Sequence, residues 1–359
     1  MNKAKRLAAL VTANLALLAL AAETEWRAAW IWHGLRAIAF LVVAFALWRE
    51  RQQTSELDQQ RHWAALLFAL VAGAAFGAQA FDWTLAAWAA LHLRLGRDAL
   101  TKICWSVGIL GLGGMLLDRG WGILPIGNRN HYAVFTEIVL PFLAWRARRE
   151  ASREALLAAA LLLAASFAGG SRMGAALLGL ELLWLAWQWG KAKVMALALA
   201  GLIALGSLFV LFNDSERLKN PLEGDHRLEI WASTIEMIRA KPWTGWGPDT
   251  FAEAYPAFAK FDNGQFVNAA HSDWLEWGVE AGLPGMLLPL FLLFWYLRKY
   301  GRSPAVWGIL YGAIHAAVDY PWQRPGFVLL TALLAGAFTQ YASQKTTSAA
   351  IAAESADTS

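Results

Sequence analysis

Residues 271–285, HSDWLEWGVEAGLPG, run directly into MLLPLFLLFWYL at 286–297, and this junction decides how the chain is organised. A polar, acid-bearing stretch passes without a spacer into an apolar run, so a long loop re-enters a series of membrane helices here. The composition agrees. Hydrophobic residues make up 58% of the 359 and charged residues only 16%. Together with a positive mean hydropathy, these values exclude an ordinary soluble globular protein. The 21 tryptophans fit a bilayer protein, because an indole prefers the headgroup level, where one side is apolar and the other wet. Trp26, Trp48, Trp63, Trp145, Trp189 and Trp322 all stand at segment ends.

Apolar runs lie near 7–22, 29–48, 63–81, 103–117, 131–145, 155–168, 173–189, 194–212, 283–297, 304–320 and 326–341. Several are shorter than the ~20 residues a spanning helix requires, so their ends extend into polar flanks. The first run follows Lys3, Lys5 and Arg6 but lacks a clean cleavage site, and it reads as a retained helix with its N-terminus inside. Basic residues on the cytoplasmic side orient the rest: Arg49, Arg51 and Arg61; Arg146, Arg148, Arg149 and Arg153; Lys191 and Lys193; Arg298, Lys299 and Arg302. Parity then demands a further crossing between 81 and 103. The apolar stretch Trp83 to Leu95 supplies it as a tight hairpin. The expectation is an all-α polytopic transmembrane bundle of about 12 spans with both termini inside. It divides into N-terminal membrane helices (1–212), an extracytoplasmic loop (213–282), C-terminal membrane helices (283–341) and a disordered cytoplasmic tail (342–359).

Four segments then face outward: Asp118 to Asn130, Gly169 to Arg172, Asn213 to Gly282 and Tyr320 to Pro325. The long loop carries twelve acids against six Lys or Arg, which suits a translocated segment. Leu228, Trp231, Ile235 and Ile238 share one helical face, so 227–240 is expected to form an amphipathic helix lying on the membrane or the bundle. Pro242, Gly245, Gly247 and Pro248 end it.

The single Cys104 leaves no disulfide framework and no cysteine metal site. The net charge of +4 falls in short blocks between apolar runs and implies no nucleic-acid partner. No phosphate-binding loop ending in Lys-Ser or Lys-Thr, no His-Glu-x-x-His helix and no Gly-x-Ser-x-Gly elbow is present. ATP hydrolysis and zinc proteolysis are thereby disfavoured, and no metal or cofactor is expected. The glycines of 111–114 read as helix-packing positions.

What remains is a set of outward-facing basic residues: Arg172, Arg227 and His271. Arginine reads phosphate oxygens through a planar fork that stays charged at any working pH. A histidine with an ordinary pKa near ~6.5 can take a proton from a hydroxyl. Each residue also has a plainer reading. Arg172 can be an interfacial arginine snorkelling from a helix end, Arg227 can pair with Asp225 or Glu229, and His271 can be a hydrogen-bonded loop histidine. Glu137 and Glu181 are acids inside expected spans, where charge is costly and is paired or functional. His315 and Asp319, four apart on one helical face, can hydrogen-bond to each other as a structural or orienting pair.

Taken together these residues resemble the O-antigen ligase and polymerase superfamily of bacterial membrane glycosyltransferases. The pattern His, then Asn, Ser or Gln, nine residues, Gly, two residues, and Gly, Thr or Tyr is matched by His271, Ser272, Gly282 and Gly285. The run 127–133, GNRNHYA, resembles the Asn-rich start of the family's central helix, with Arg129 where a proline is common. Residues 170–174, GSRMG, resemble its Ser-Arg-Gly helix start. Residues 227–231 with 242–247, PWTGWG, resemble its large-loop signature. The resemblance spans roughly 120–340. It implies a GT-C-like bundle in the bacterial inner membrane, with the active site facing the periplasm or cell exterior. It further implies a polyprenyl (undecaprenyl) pyrophosphate-linked glycan donor held by Arg172 and Arg227, and an acceptor hydroxyl activated by His271. Asn128, Asn130, His131, Ser171, His226 and Glu280 become substrate-binding candidates. The acceptor would be a glycolipid or another surface hydroxyl, as in lipopolysaccharide biosynthesis. Repeat-unit polymerisation and protein O-glycosylation share these motifs. A small-solute transporter, working through Glu137, Glu181, His315 and Asp319, is the alternative of a different class.

Overall fold

The computed structural model describes residues 97–117, 126, 128–190, 199–207, 226–260, 264, 266–301 and 306–324, with positions 327, 328, 331, 332, 334–336 and 338. The expected spans at 7–22, 29–48 and 63–81 and the hairpin at 83–95 lie outside these residues, as do 213–225 and the tail. Every regular element among the described residues is helical, in agreement with the all-α expectation.

The main helices are α1 (Arg97–Leu117), α2 (Arg129–Arg149), α3 (Arg153–Gly169), α4 (Arg172–Trp189), α5 (Arg227–Ala240), α6 (Asp273–Tyr300) and α7 (Trp307–His315). Their ends follow from local chemistry. Ser152 and Ser171 cap α3 and α4 by accepting the amide protons of Ala155 and Gly174, and Gly170 and Gly190 close them in the left-handed conformation.

Helix α2 is the centre of the molecule. It packs against α3, α4 and α7, and His131 to Leu143 are buried without interruption. That burial goes all the way round the helix, so α2 belongs to a bundle interior and shows no amphipathic stripe. Close approach is built in at its neighbours. A Cβ on Gly111 would lie 2.3 Å from the Tyr132 hydroxyl, and one on Gly308 would lie 2.1 Å from the carbonyl oxygen of Ile138. Tyr132 uses the proximity to donate to Val107 O at 3.0 Å. The C-terminal end of α2 is tied to the start of α1: the buried Arg146 donates to Asp98, Glu150 and Arg97 O. One guanidinium so satisfied holds two helix ends together.

Helix α6 is, among the described residues, the one helix long and apolar enough to cross a membrane, and Leu100–Gly114 is a shorter apolar helix. Leu287, Leu288, Phe291 and Phe294 on α6 are exposed, the pattern of a surface facing acyl chains. Gly282 divides α6. Its φ of 70° and ψ of −169° are non-helical, so Asp273 to Ala281 form an arm distinct from the apolar rod after it. A Cβ there would meet Pro242 O at 2.7 Å, and the next amide, Leu283 N, donates to that same carbonyl at 2.7 Å.

The loop ahead of this kink has its own small core of Ile230, Met237, Phe251, Tyr255, Ala270 and Val279. Helix α5 forms over 227–240 as expected, but only part of the expected apolar face is packed: Ile238 is buried and Trp231 half-buried. Ile230, Ser233, Thr234, Met237 and Ile238 are buried, whereas Leu228 and Ile235 are exposed. Hydroxyl residues can occupy the buried face because Ser233 and Thr234 bond back to Glu229 O and Ile230 O, leaving no unpaired donor.

Candidate functional site

Four helices begin at the same end of the bundle. Asn128 caps α2, its side-chain oxygen accepting from Asn130 N at 2.8 Å and from His131 N. A Cβ on Gly174, in the first turn of α4, would lie 2.3 Å from the Cβ of Ala133. Ser171 and Arg172 therefore sit beside the start of α2. Arg227, at the start of α5, donates to the carbonyl of Val318. Asp273, at the start of α6, donates its amide proton to both Ala316 O and Asp319 O at 3.0 Å. Three of the four helix starts thus join either the α2 end or the segment 316–319, and ring contacts around Tyr320 close the set.

His271 lies where these elements meet, and its backbone is unusual. Its φ is +52°, a left-handed conformation that costs a non-glycine residue energy and persists only where the surroundings impose it. They do so on both sides. The preceding Ala270 donates to Glu276 Oε2 at 2.9 Å and accepts from Trp231 Nε1 at 2.9 Å. The following Ser272 caps α6 through Leu275 N. Asp273 Oδ2 then accepts from Trp322 N at 3.1 Å. The loop helix, the α6 arm and the segment after α7 all hold the peptide that carries the imidazole.

The ring of His271 meets Tyr320 edge-on, centroids 5.0 Å apart at 80°. The ring of His131 meets the same tyrosine at 5.5 Å and 89°, and the Arg324 guanidinium carbon stands 5.5 Å from its centroid. His131 is buried, with Nε2 3.6 Å from Asp319 Oδ1. That is an ion-pair approach, too long for a hydrogen bond. Neither nitrogen of His131 has a hydrogen-bond partner among the described residues.

His131 and Asp319 thus approach each other directly, His271 joins His131 through the shared Tyr320 ring, and Arg227 holds Val318 beside Asp319, with Ser171 and Arg172 placed at the same helix ends. Other candidates take different parts. Asn128 is spent on capping. Glu280 accepts from Asp249 N at 3.0 Å and its carbonyl accepts from Gly247 N at 3.0 Å, so it braces the loop turn at the far end of the α6 arm. The pairing expected between His315 and Asp319 gives way to two others. Helix α7 ends at His315, which breaks the four-residue spacing. His315 Nδ1 lies 2.8 Å from Glu137 Oε1, while Asp319 turns to His131. Glu181 is wholly buried on α4. Asn130 and His226 stand at the starts of α2 and α5.

A model of the family described as O-antigen ligase matches residues 157–290. This stretch is similar to the O-antigen ligase family. The ligase match takes in Ser171, Arg172, His226, Arg227, His271 and Glu280, and stops short of Asn128, His131 and Asp319 on either side. No curated protein matches the chain.

Sequence reasoning missed Tyr320, Arg324 and the anchoring role of Trp231. Tyr320 and Arg324 lie in a short segment expected to belong to the outward set, but no spacing marks an aromatic ring that touches two histidines from distant helices.

Proposed function

We propose that this chain transfers a glycan from a polyprenyl pyrophosphate donor to a hydroxyl of a lipid or other surface acceptor, on the outer face of the bacterial inner membrane. The observation that carries the reading is the placing of His271, in a strained backbone conformation, among helix starts that bear Arg172 and Arg227, within the ligase-matched stretch.

The chemistry divides simply. The acceptor oxygen attacks the anomeric carbon, the bond from that carbon to the pyrophosphate oxygen breaks, and the configuration inverts. The pyrophosphate leaves with the bonding electron pair. Its need is neutralisation of developing charge, which Arg172 and Arg227 supply as fixed cations with no call on a metal. The partial positive charge at the starts of α4 and α5 adds to the same field. His271 takes the acceptor's hydroxyl proton and returns it to solvent after the sugar has moved. The helical bundle is GT-C-like in this reading, with about 12 spans and the loop 213–282 outside.

The test is release of polyprenyl pyrophosphate from a lipid-linked glycan by the purified protein, with lipid, glycan and protein acceptors offered separately. Release that needs both an acceptor and His271 supports the reading and names the acceptor class. Release unchanged in His271→Ala, Arg172→Ala and Arg227→Ala refutes it.

A further inference from the structure

A general base must be held within roughly 10–20° of its working orientation to be effective. The backbone of His271 is clamped through Ala270, Ser272 and Asp273, which leaves the two side-chain torsions to be set. The His271 imidazole meets the Tyr320 ring edge-on. Tyr320 is itself well held. Its amide donates to Asp319 Oδ1 at 2.9 Å, its carbonyl accepts from Gln323 N at 3.3 Å, and its ring is bounded by His131 and by Arg324. His131 belongs to the buried central helix and packs on Phe327 as well. Order in the bundle core therefore reaches His271 through the Tyr320 ring.

We propose that Tyr320 is the positioning residue for His271: its ring, fixed between His131 and Arg324, holds the His271 imidazole in the orientation that receives the acceptor proton. The proposal rests on the glycan-transfer reading above for its catalytic part. The ring, and not the hydroxyl, is what meets His271, and the hydroxyl's polar neighbour is Arg324. Perpendicular aromatic contacts of this kind arise from the ring quadrupole and prefer defined geometries. Burial pushes the Tyr320 phenol up from its usual value, which keeps it neutral at working pH. An aliphatic residue of similar volume would fill the space without fixing the plane of the imidazole.

The experiment compares wild type, Tyr320→Leu, Tyr320→Met and Tyr320→Phe, each purified in detergent with ¹³C-labelled histidine. The His271 signal is assigned by its loss in His271→Gln. Two quantities are read: the titration midpoint of His271, and kcat and KM for a polyprenyl-pyrophosphate-linked glycan. In Tyr320→Leu and Tyr320→Met, the midpoint is expected to move by about half a pH unit or more. kcat is expected to fall about tenfold or more, with donor KM within about twofold. Tyr320→Phe is expected to match wild type in both. A wild-type midpoint and kcat in either folded aliphatic variant overturns the proposal. So does a Tyr320→Phe variant as impaired as Tyr320→Leu, or a loss confined to donor KM, since each assigns Tyr320 a direct substrate contact or none. If the wild type releases no polyprenyl pyrophosphate, the functional reading fails, while the histidine titration still decides whether Tyr320 governs His271.

Discussion

Glu137 Oε1 and His315 Nδ1 lie 2.8 Å apart with both side chains buried, the acid on α2 and the imidazole on α7. A hydrogen-bonded acid and imidazole in a bundle interior are stable only while both members are present, because removing one strands the other's polar atoms without water. Glu137→Leu or His315→Leu alone is expected to destabilise the protein by about 3–5 kcal/mol. The double change should recover most of that loss. Thermal unfolding in detergent of the four proteins checks it. A double variant that folds well and still transfers glycan assigns the pair to packing, whereas one that folds and loses all function turns attention to the transporter alternative.

Arginine at 172 and 227 is expected to act through its fork and not through charge alone. Lysine at either position should lower kcat/KM for polyprenyl pyrophosphate release by about 10–100-fold, and alanine by more. Equal effects of lysine and alanine, or none from either, would remove the two residues from pyrophosphate binding.

Trp231 reaches from α5 to the carbonyl of Ala270, the residue before His271. Trp231→Phe keeps an apolar ring and deletes the bond, at a cost of about 1 kcal/mol. The left-handed peptide at His271 loses one of its restraints, so kcat should fall several-fold while donor KM stays near its wild-type value. A full kinetic comparison reads both, and an unchanged kcat would mean that Glu276 and Asp273 hold the turn unaided.

Gly308 lets α7 lie directly on the α2 backbone. Because an added Cβ would fall 2.1 Å from the Ile138 carbonyl oxygen, Gly308→Ala must push the helices apart and is expected to lower stability by about 1–3 kcal/mol. Gly113→Ala, where nothing lies within 4 Å, is the paired control. Unfolding midpoints that fall equally for both would deny this close approach.

Much of this architecture could be read from the chain because it depends on local signals. The His271–Gly285 spacing, the helix starts near Asn128 and Ser171, and the helix over 227–240 are written in neighbouring residues. What escaped depends on contacts across long separations. The packed face of α5 differs from the most apolar one because Ser233 and Thr234 satisfy themselves on their own backbone, which no hydropathy pattern records. His315 and Asp319 have the spacing of partners, yet α7 stops between them and delivers each to a different part of α2. Tyr320 matters only through residues 131 and 271, and a ring shared between distant helices leaves no periodic trace.

The double acceptance of the Asp273 amide by Ala316 and Asp319 has a consequence for biogenesis. The stretch bearing the histidine is made before the segment that props it, and the ligase-matched region ends at residue 290, well short of that prop. A nascent or truncated chain that stops there would lack the two carbonyls that hold the start of α6. On the proposed function, such a chain would carry His271 without the segment that props it, and competence would follow completion of the C-terminal part.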